Sequence, residues 1–510
     1  MMEHDAGRFW EFTTPFVPSF SPYNDAAIRL TNDMHDRLGL PKTPAKALRY
    51  NRVVASALAA FQGVMCYEEG YLYWPLKQDR YSAYEQAGRV ILTNVQEALA
   101  SHGVIRLAQK GERVFTKHKN SSEGHTDTKG SFQFKNLPTL WHVSEDLLQL
   151  DDFWNAEFQD VGRPPLIVGE IQSRADKYYA KIDGRKSAKI PTSKLEEQFG
   201  TKGWITQAGI KRLQSYWDEN PLSFKLYKGN NTFIRHASSA SRVFSNGSIS
   251  KGGRYYGMWS NLDKGQRLRA TINNKPTVQI DIKASQPTLL SSFLGKKMRV
   301  GDTWTDIYGL IVYDLHKVGA LREVSKSDLK DKVKLVIMEM IGTGNPNKWK
   351  PSKANEDLFS MKPIMVINET TDRALPFDHY KNEYSIIAHY SKKRIPALLE
   401  LKPGVFDSEF LSYHESEIIT WTMHRLLEPA VCGKPVVSYP MHDCLIVPKE
   451  DEAIAVSVLR WCIANYTWNN FNTEFIFDAA ISIEEAGQKD RVLEGRYYSK
   501  LETIIMRKEG

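Results

Sequence analysis

Cysteine is scarce in this chain, with four in 510 residues, at Cys66, Cys432, Cys444 and Cys462. No two of them form a Cys-x-x-Cys pair, so neither a zinc site nor a disulfide framework is indicated. Long apolar runs are missing as well. No stretch reaches the roughly 18 residues that a membrane span needs. The start, Met1-Met-Glu-His-Asp-Ala-Gly-Arg-Phe, is acidic and lacks the apolar core of a secretory leader. A cytoplasmic protein with no membrane partner is therefore expected. Internal repeats are absent, and before about residue 230 no motif carries chemistry by itself.

What is present is an ordinary globular composition, 42% hydrophobic and 25% charged. The length allows about two to four domains. The net charge of +8 is unevenly placed. Between Arg174 and Lys275 there are 20 Lys and Arg against 7 Asp and Glu, which leaves the rest of the chain at −5. A concentrated basic stretch is the footprint expected for phosphate contact. Tyr178, Tyr179, Trp204, Tyr216, Trp217 and Tyr227 are interleaved with it and could stack on bases. The alternative is that these aromatics are core and the cations a solvated face.

Along the chain, Pro15, Pro18 and Pro22 predict an irregular lead-in. Pro44–Met65, Ala-rich with Pro near its start, predicts a helix. Lys110–Phe132 predicts a loop, Pro164–Val168 a short strand or extended entry, and Ala180–Ser193 a linker or arm.

The most informative stretch is Pro276–Leu290. Val278, Ile280 and Ile282 alternate with Gln279, Asp281 and Lys283, a strand buried on one face, and a helix is expected to begin near Pro287. Aspartate is a poor strand residue, so Asp281 asks for a reason. A second apolar run, Val436–Pro448, carries His442-Asp443 in its middle. A carboxylate in such a run costs several kcal/mol unless it is paired or metal-bound. Two strand-borne aspartates from distant segments suit two-metal phosphoryl transfer. Surface-edge aspartates, or a tight His-Asp turn, would explain the pattern equally simply.

At these residues a resemblance enters. Asp281 with Ser285-Gln286 resembles motif A of the superfamily that joins DNA polymerase I (family A) and the single-subunit, phage- and mitochondrial-type RNA polymerases. Met441-His442-Asp443 with Ile446-Val447-Pro448 resembles its motif C. Gly253-Arg254 with Asn261 resembles the Gly-Arg element before motif A, and Asp306-Ile-Tyr-Gly the segment between motifs A and B. Lys330–Gly342 resembles motif B, the fingers helix. Together these cover roughly residues 235–480 in the order of the superfamily. The chain reads as a divergent member.

The resemblance implies an α+β, helix-rich right-hand fold of palm, fingers and thumb-like parts behind an α-rich N-terminal domain. The expected divisions are 1–170, mainly α; 171–235, a basic linker or thumb-like nucleic-acid-binding region; 236–300, the first palm part; 301–404, fingers; and 405–510, the second palm part. Asp281 and Asp443 would be the catalytic pair and hold two Mg²⁺ ions. Lys330, Lys334, Ile341 and Gln286 would meet the nucleotide, with Lys332 competing in an uncertain register. Arg254, Asn261, Arg242, His442 and Glu415 would contact nucleic acid, with His414 and Glu417 as further candidates on the helix before motif C.

The function so implied is a template-directed nucleotidyltransferase of the RNA polymerase type, monomeric, acting on nucleoside triphosphates and nucleic acid and encoded by a phage or mobile element. A DNA polymerase, a template-independent or primase-like enzyme, and an inactive palm kept as a binding scaffold are the alternatives. The family's glutamate that excludes a ribose hydroxyl is matched by Pro287, and the aromatic that reads it by Ile341, which cannot donate a hydrogen bond. Ribonucleotides should therefore be accepted, with weak discrimination against deoxynucleotides.

Overall fold

The computed structural model describes residues 13–15, 18–65, 71–74, 89–109, 113–117, 132–136, 139–170, 189–190, 192–228, 231–362, 365–368, 373–376, 382–470 and 475–499. Most of the expected arm 180–193, most of the expected loop 110–132, and Tyr178 and Tyr179 lie outside the described residues. The architecture is mixed, with helices and several sheets, as the α+β class requires. Among the described residues no helix is long and apolar enough to cross a membrane. The chain divides into two compact units: Met1–Ile249 with Tyr256–Pro276, and Ser250–Tyr255 with Thr277–Gly510.

In the first unit the helix Pro44–Val64 takes its proline in the first turn, where a missing N–H costs nothing. Its Ala-rich body is buried almost throughout, with Val54, Leu58 and Phe61 fully enclosed among Leu30, Leu72, Val95 and Phe153. Among the described residues of 1–170 helices outnumber strands in length, and they alternate with short strands such as Phe20–Pro22, Tyr71–Tyr73 and Phe158–Asp160 that the sequence did not signal. Strands of three residues are too short for period-two alternation to register in a sequence.

The expected break near 170 is also not a boundary between units. Phe158–Asp160 pairs with Asn231–Ala237, which pairs in turn with Leu222–Lys228, so residues before 170 and after 220 share one sheet. Between them, the described part of the predicted thumb-like region is the long helix Thr192–Glu219, with a non-helical Gly200 inside it, leading into those strands. Trp217 is buried against Trp259 rather than offered to bases, whereas Trp204 is exposed.

The second unit is built on an antiparallel sheet. From Thr277 onward the strand Lys275–Ile282 lies between Cys444–Pro448 and Ile481–Glu484, flanked outside by Tyr439–Met441 and Arg491–Leu493. Val278, Ile280 and Ile282 are buried, and so is Gln279, because this strand has neighbours on both edges. The helix after it, Ser285–Phe293, begins two residues before Pro287, which falls in its first turn. It packs on Ser408–Leu426, which packs on Glu452–Asn470. A second helical group, Ile307–Lys317, Lys326–Thr343 and Glu383–Arg394, packs mutually. Ser325 caps Lys326–Thr343 by accepting from the Asp328 amide.

Candidate active site

The run Val436–Pro448, expected as one strand, is a hairpin. Tyr439–Met441 turns back into Cys444–Pro448 through His442 and Asp443. The tight His-Asp turn is thus the local structure, and it carries the carboxylate to the end of the sheet. Asp281 pairs in register with Cys444, and the Ile282 amide donates to the Asp443 carbonyl at 3.2 Å. Two aspartates that are far apart in the chain become backbone neighbours.

The backbone is left-handed immediately before Asp443 and again three residues after Asp281. His442, just before Asp443, has φ +58, and Ala284, just before Ser285, has φ +49. A left-handed conformation costs a residue with a Cβ roughly 1–2 kcal/mol. It persists only where surrounding structure imposes it, as it does at functional sites.

Asp281 is 27% exposed, and Lys283 Nζ stands 3.5 Å from its Oδ2. Burial first, then the Asp443 charge, push its carboxyl up to about 7, with Lys283 opposing and Glu484 adding to the rise. Asp443 Oδ2 accepts from Ser285 Oγ at 2.7 Å, and the same hydroxyl lies 2.5 Å from Glu415 Oε1. A serine has one hydrogen to give, so two carboxylates at this distance call for a second proton on the chain Glu415–Ser285–Asp443. Glu415 is the place for it. The side chain is fully buried, and burial and Asp443 push it up to about 7 against the pull of Arg254 and Ser285.

Arg254 reaches Glu415 Oε2 through Nε at 3.0 Å and Nη2 at 2.5 Å. The Ser416 hydroxyl donates to the Gly253 carbonyl, which ties the Gly-Arg element to this helix. Glu415 is corrected from a nucleic-acid contact to an interior partner that links Arg254 to Asp443, since a group without exposure reaches no groove. His414 is likewise turned inward. Its Nδ1 meets the Tyr466 hydroxyl at 2.7 Å, and burial holds the ring down at about 4, hence neutral.

Among the three candidate lysines, Lys332 is taken by Glu383 at 2.7 Å in a largely buried pair. Lys330 pairs with Asp306 at 2.7 Å on a more exposed face. Lys334 is exposed. Asp306 precedes the helix Ile307–Lys317 and lies close to Gly309, where a Cβ would stand 2.6 Å from Asp306 Oδ2 and would make that side chain shift. The next residue but one after Asp306 is Tyr308, whose hydroxyl is pushed up by burial and by the charges of Asp443, Asp306 and Asp281. Tyr308 thus joins the electrostatic neighbourhood of the two aspartates, and Lys330 meets the same helix start through Asp306.

Other expected contacts are not brought there. Ile341 is fully buried inside its helix packing, and Gln286 is buried with its amide donating to Ser412 Oγ at 3.3 Å, so neither offers a nucleotide contact. Arg242, in the first unit, is 3% exposed and stands over the Phe244 ring at 5.0 Å, which corrects its assignment to nucleic acid. Asn261 is exposed and belongs to the first unit. Sequence reading missed Ser285 as a bridge, Tyr308 and Glu484. Ser285 and Tyr308 sat inside quoted motifs, but nothing local says that a serine hydroxyl joins two acids. Glu484 had no local signal at all.

The donor set was tested against a divalent cation. Among the described residues no group of three or more His, Cys, Asp and Glu side chains gathers as a metal cage. A pair of carboxylates is still a donor set that Mg²⁺ could use, since that ion takes one or two carboxylates and completes its shell with water and substrate phosphate. Asp281 is raised by burial first and then by the Asp443 charge, and a cation beside the pair would oppose both. The chain matches no protein-family model and no curated protein.

Proposed function

We propose that the second unit is the catalytic part of a right-hand nucleotidyltransferase that extends a nucleic acid from nucleoside triphosphates, of the single-subunit RNA polymerase type. One observation carries this reading. Asp281 and Asp443 stand at the ends of hydrogen-bonded antiparallel segments, joined by the Ile282 amide, with a left-handed residue immediately before Asp443 and another three residues after Asp281.

Asp281 and Asp443 would hold Mg²⁺, whose chemistry when bound is to neutralise phosphate charge and favour attack by a 3′-hydroxyl. Arg254, Glu415 and Ser285 act on Asp443 by fixing its carboxylate from behind. Lys330 presents a cation on the helix Lys326–Thr343, where a triphosphate would meet it, once Asp306 releases it. The expected fingers region corresponds in this reading to the mutually packed helices around Lys326–Thr343, and the palm to the antiparallel sheet.

The test is a primer-extension assay with all eight nucleotides, with and without template, in Mg²⁺ and in chelator. Template-dependent incorporation of ribonucleotides in Mg²⁺ is expected. Deoxynucleotides strongly preferred would move the reading to the DNA polymerase side. Extension that ignores the template would favour the nucleotide-adding alternative.

A further inference from the structure

The second unit holds a cleft outside the group of residues around the two aspartates. The segment 297–303, the end of the helix Glu383–Arg394 and the strand Gly495–Ser499 enclose about 650 Å³, open on one side. That size lies within the roughly 300–1,000 Å³ of ligand sites. Its lining contains four cations, Lys297, Arg299, Arg394 and Arg496, against one acid, Asp302. Tyr497 and Tyr498 supply aromatic wall.

The cleft is built rather than accidental. Arg394 is fixed by a two-pronged pair with Asp314, at 2.5 and 2.6 Å, and its Nη1 donates to the Arg299 carbonyl at 2.6 Å. The Arg299 amide donates back to the Arg394 carbonyl at 2.8 Å. On the other wall the Met298 amide donates to the Tyr497 hydroxyl at 3.1 Å, and Lys297 Nζ stands 5.8 Å from that ring's centre. These bonds hold the loop while leaving Arg299 exposed, and its guanidinium has no ion pair or hydrogen bond among the described residues. Arg496 is exposed too.

We propose that this cleft binds a short single-stranded nucleic-acid segment, with Arg299, Arg496 and Lys297 on successive phosphates and Tyr498 stacking on a base. A positively charged groove combined with an aromatic platform is how single strands are held without regard to sequence. The proposal goes beyond the polymerase reading and does not rest on it, because none of its residues touches the aspartates' hydrogen-bond chain.

The experiment uses the full chain in chelator, with a labelled uridine or thymidine homo-oligonucleotide followed by anisotropy, and photo-crosslinking of a 4-thiouridine oligonucleotide with peptide mapping. The double variant Arg299→Glu, Arg496→Glu should bind at least about tenfold more weakly, with the salt slope reduced by about two. Tyr498→Ala should weaken binding about tenfold, and the wild-type crosslink should map to the Tyr497–Tyr498 peptide. Both altered cations are exposed, so thermal unfolding should be unchanged, and the crosslink reports the cleft even if a variant folds poorly. Asp281→Asn should bind the oligonucleotide normally, which separates a failure here from a failure of the polymerase reading. A crosslink that maps elsewhere, with wild-type affinity in the charge-reversed variant, would overturn the proposal. So would complete displacement of the strand from the cleft by a mononucleotide.

Discussion

The two units treat buried charge differently. In the first, Asp160 is wholly buried, yet Arg163 Nε reaches it at 2.6 Å and Ser239 Oγ at 3.2 Å. Arg235, 1% exposed, gives its guanidinium hydrogens to the Gln62 side chain and the Ala59 carbonyl, with Phe20 and Phe158 against its faces. Every such charge meets a partner that the fold supplies. In the second unit, Glu415, Asp443 and Asp281 share one arginine, one serine hydroxyl and one lysine at 3.5 Å. Burial of charge costs several kcal/mol unless it is compensated. Asp160 is fully paired where it is buried, whereas the three acids around Ser285 have fewer compensating groups than charges, an arrangement that a cation or a proton would relieve.

The largest effect should come from removing that deficit. Asp443→Ala or Asp281→Ala should lower nucleotide incorporation on the order of a thousand-fold or more, through loss of charge stabilisation at the transferred phosphoryl group. Circular dichroism should show the fold retained. Incorporation near the wild-type rate by Asp443→Ala would refute the assignment.

Next comes the support behind the site. Arg254→Met takes two hydrogen bonds from the buried Glu415 side chain, and leaving such a group unpaired typically costs about 1–3 kcal/mol. Arg163→Met should cost the first unit at least as much by stranding Asp160. Only Arg254→Met should also reduce incorporation, because only there does the stranded acid lead through Ser285 to Asp443. Denaturant unfolding alongside primer extension separates the two outcomes. Equal loss of activity in both variants would show that stability alone is being read.

A subtler difference lies in pH. The folded-state carboxyl of Asp281 is raised to about 7, above its unfolded value of about 4. Between those values the folded state binds more protons than the unfolded chain, so this group's stabilisation is complete below about 4 and is lost as pH rises through about 7. In chelator, Asp281→Asn should therefore be more stable than the wild type at pH 8, with the gap closing towards pH 4. Melting curves across that range measure it. Mg²⁺ should raise the wild-type melting temperature at pH 8 and leave that of the variant nearly unmoved.

The smallest expected effect concerns the sugar. Pro287 and Ile341 are buried, so neither the family's excluding glutamate nor its aromatic reader has a counterpart at those positions. Competition between each ribonucleotide and its deoxy counterpart should show ribonucleotides preferred by a modest factor. The large factors of a site built to pair a hydroxyl, roughly 10⁴ or more, are not expected.

The sequence by itself marked Asp281 and Asp443 as charges out of place, because alternation along Val278–Ile282 and the apolar run around 443 are local patterns of period two. It also marked the helices at 44–65 and 325–342, whose proline, serine cap and 3.6-residue spacing are equally local. What only the tertiary structure decided was partnership. The register Asp281↔Cys444 joins segments far apart in the chain, and no local period encodes which strands pair. The same limit hid Glu415. On its helix it reads as one of several polar residues, and only packing against Arg254 and Ser285 makes it the buried end of a proton-sharing chain. It hid the choice among the lysines too, since Lys332 is withdrawn by Glu383, a residue of another helix. Spacing fixes which residues share a face; the neighbour across that face is chosen by the chain's return, and there the charge deficit of this site was made.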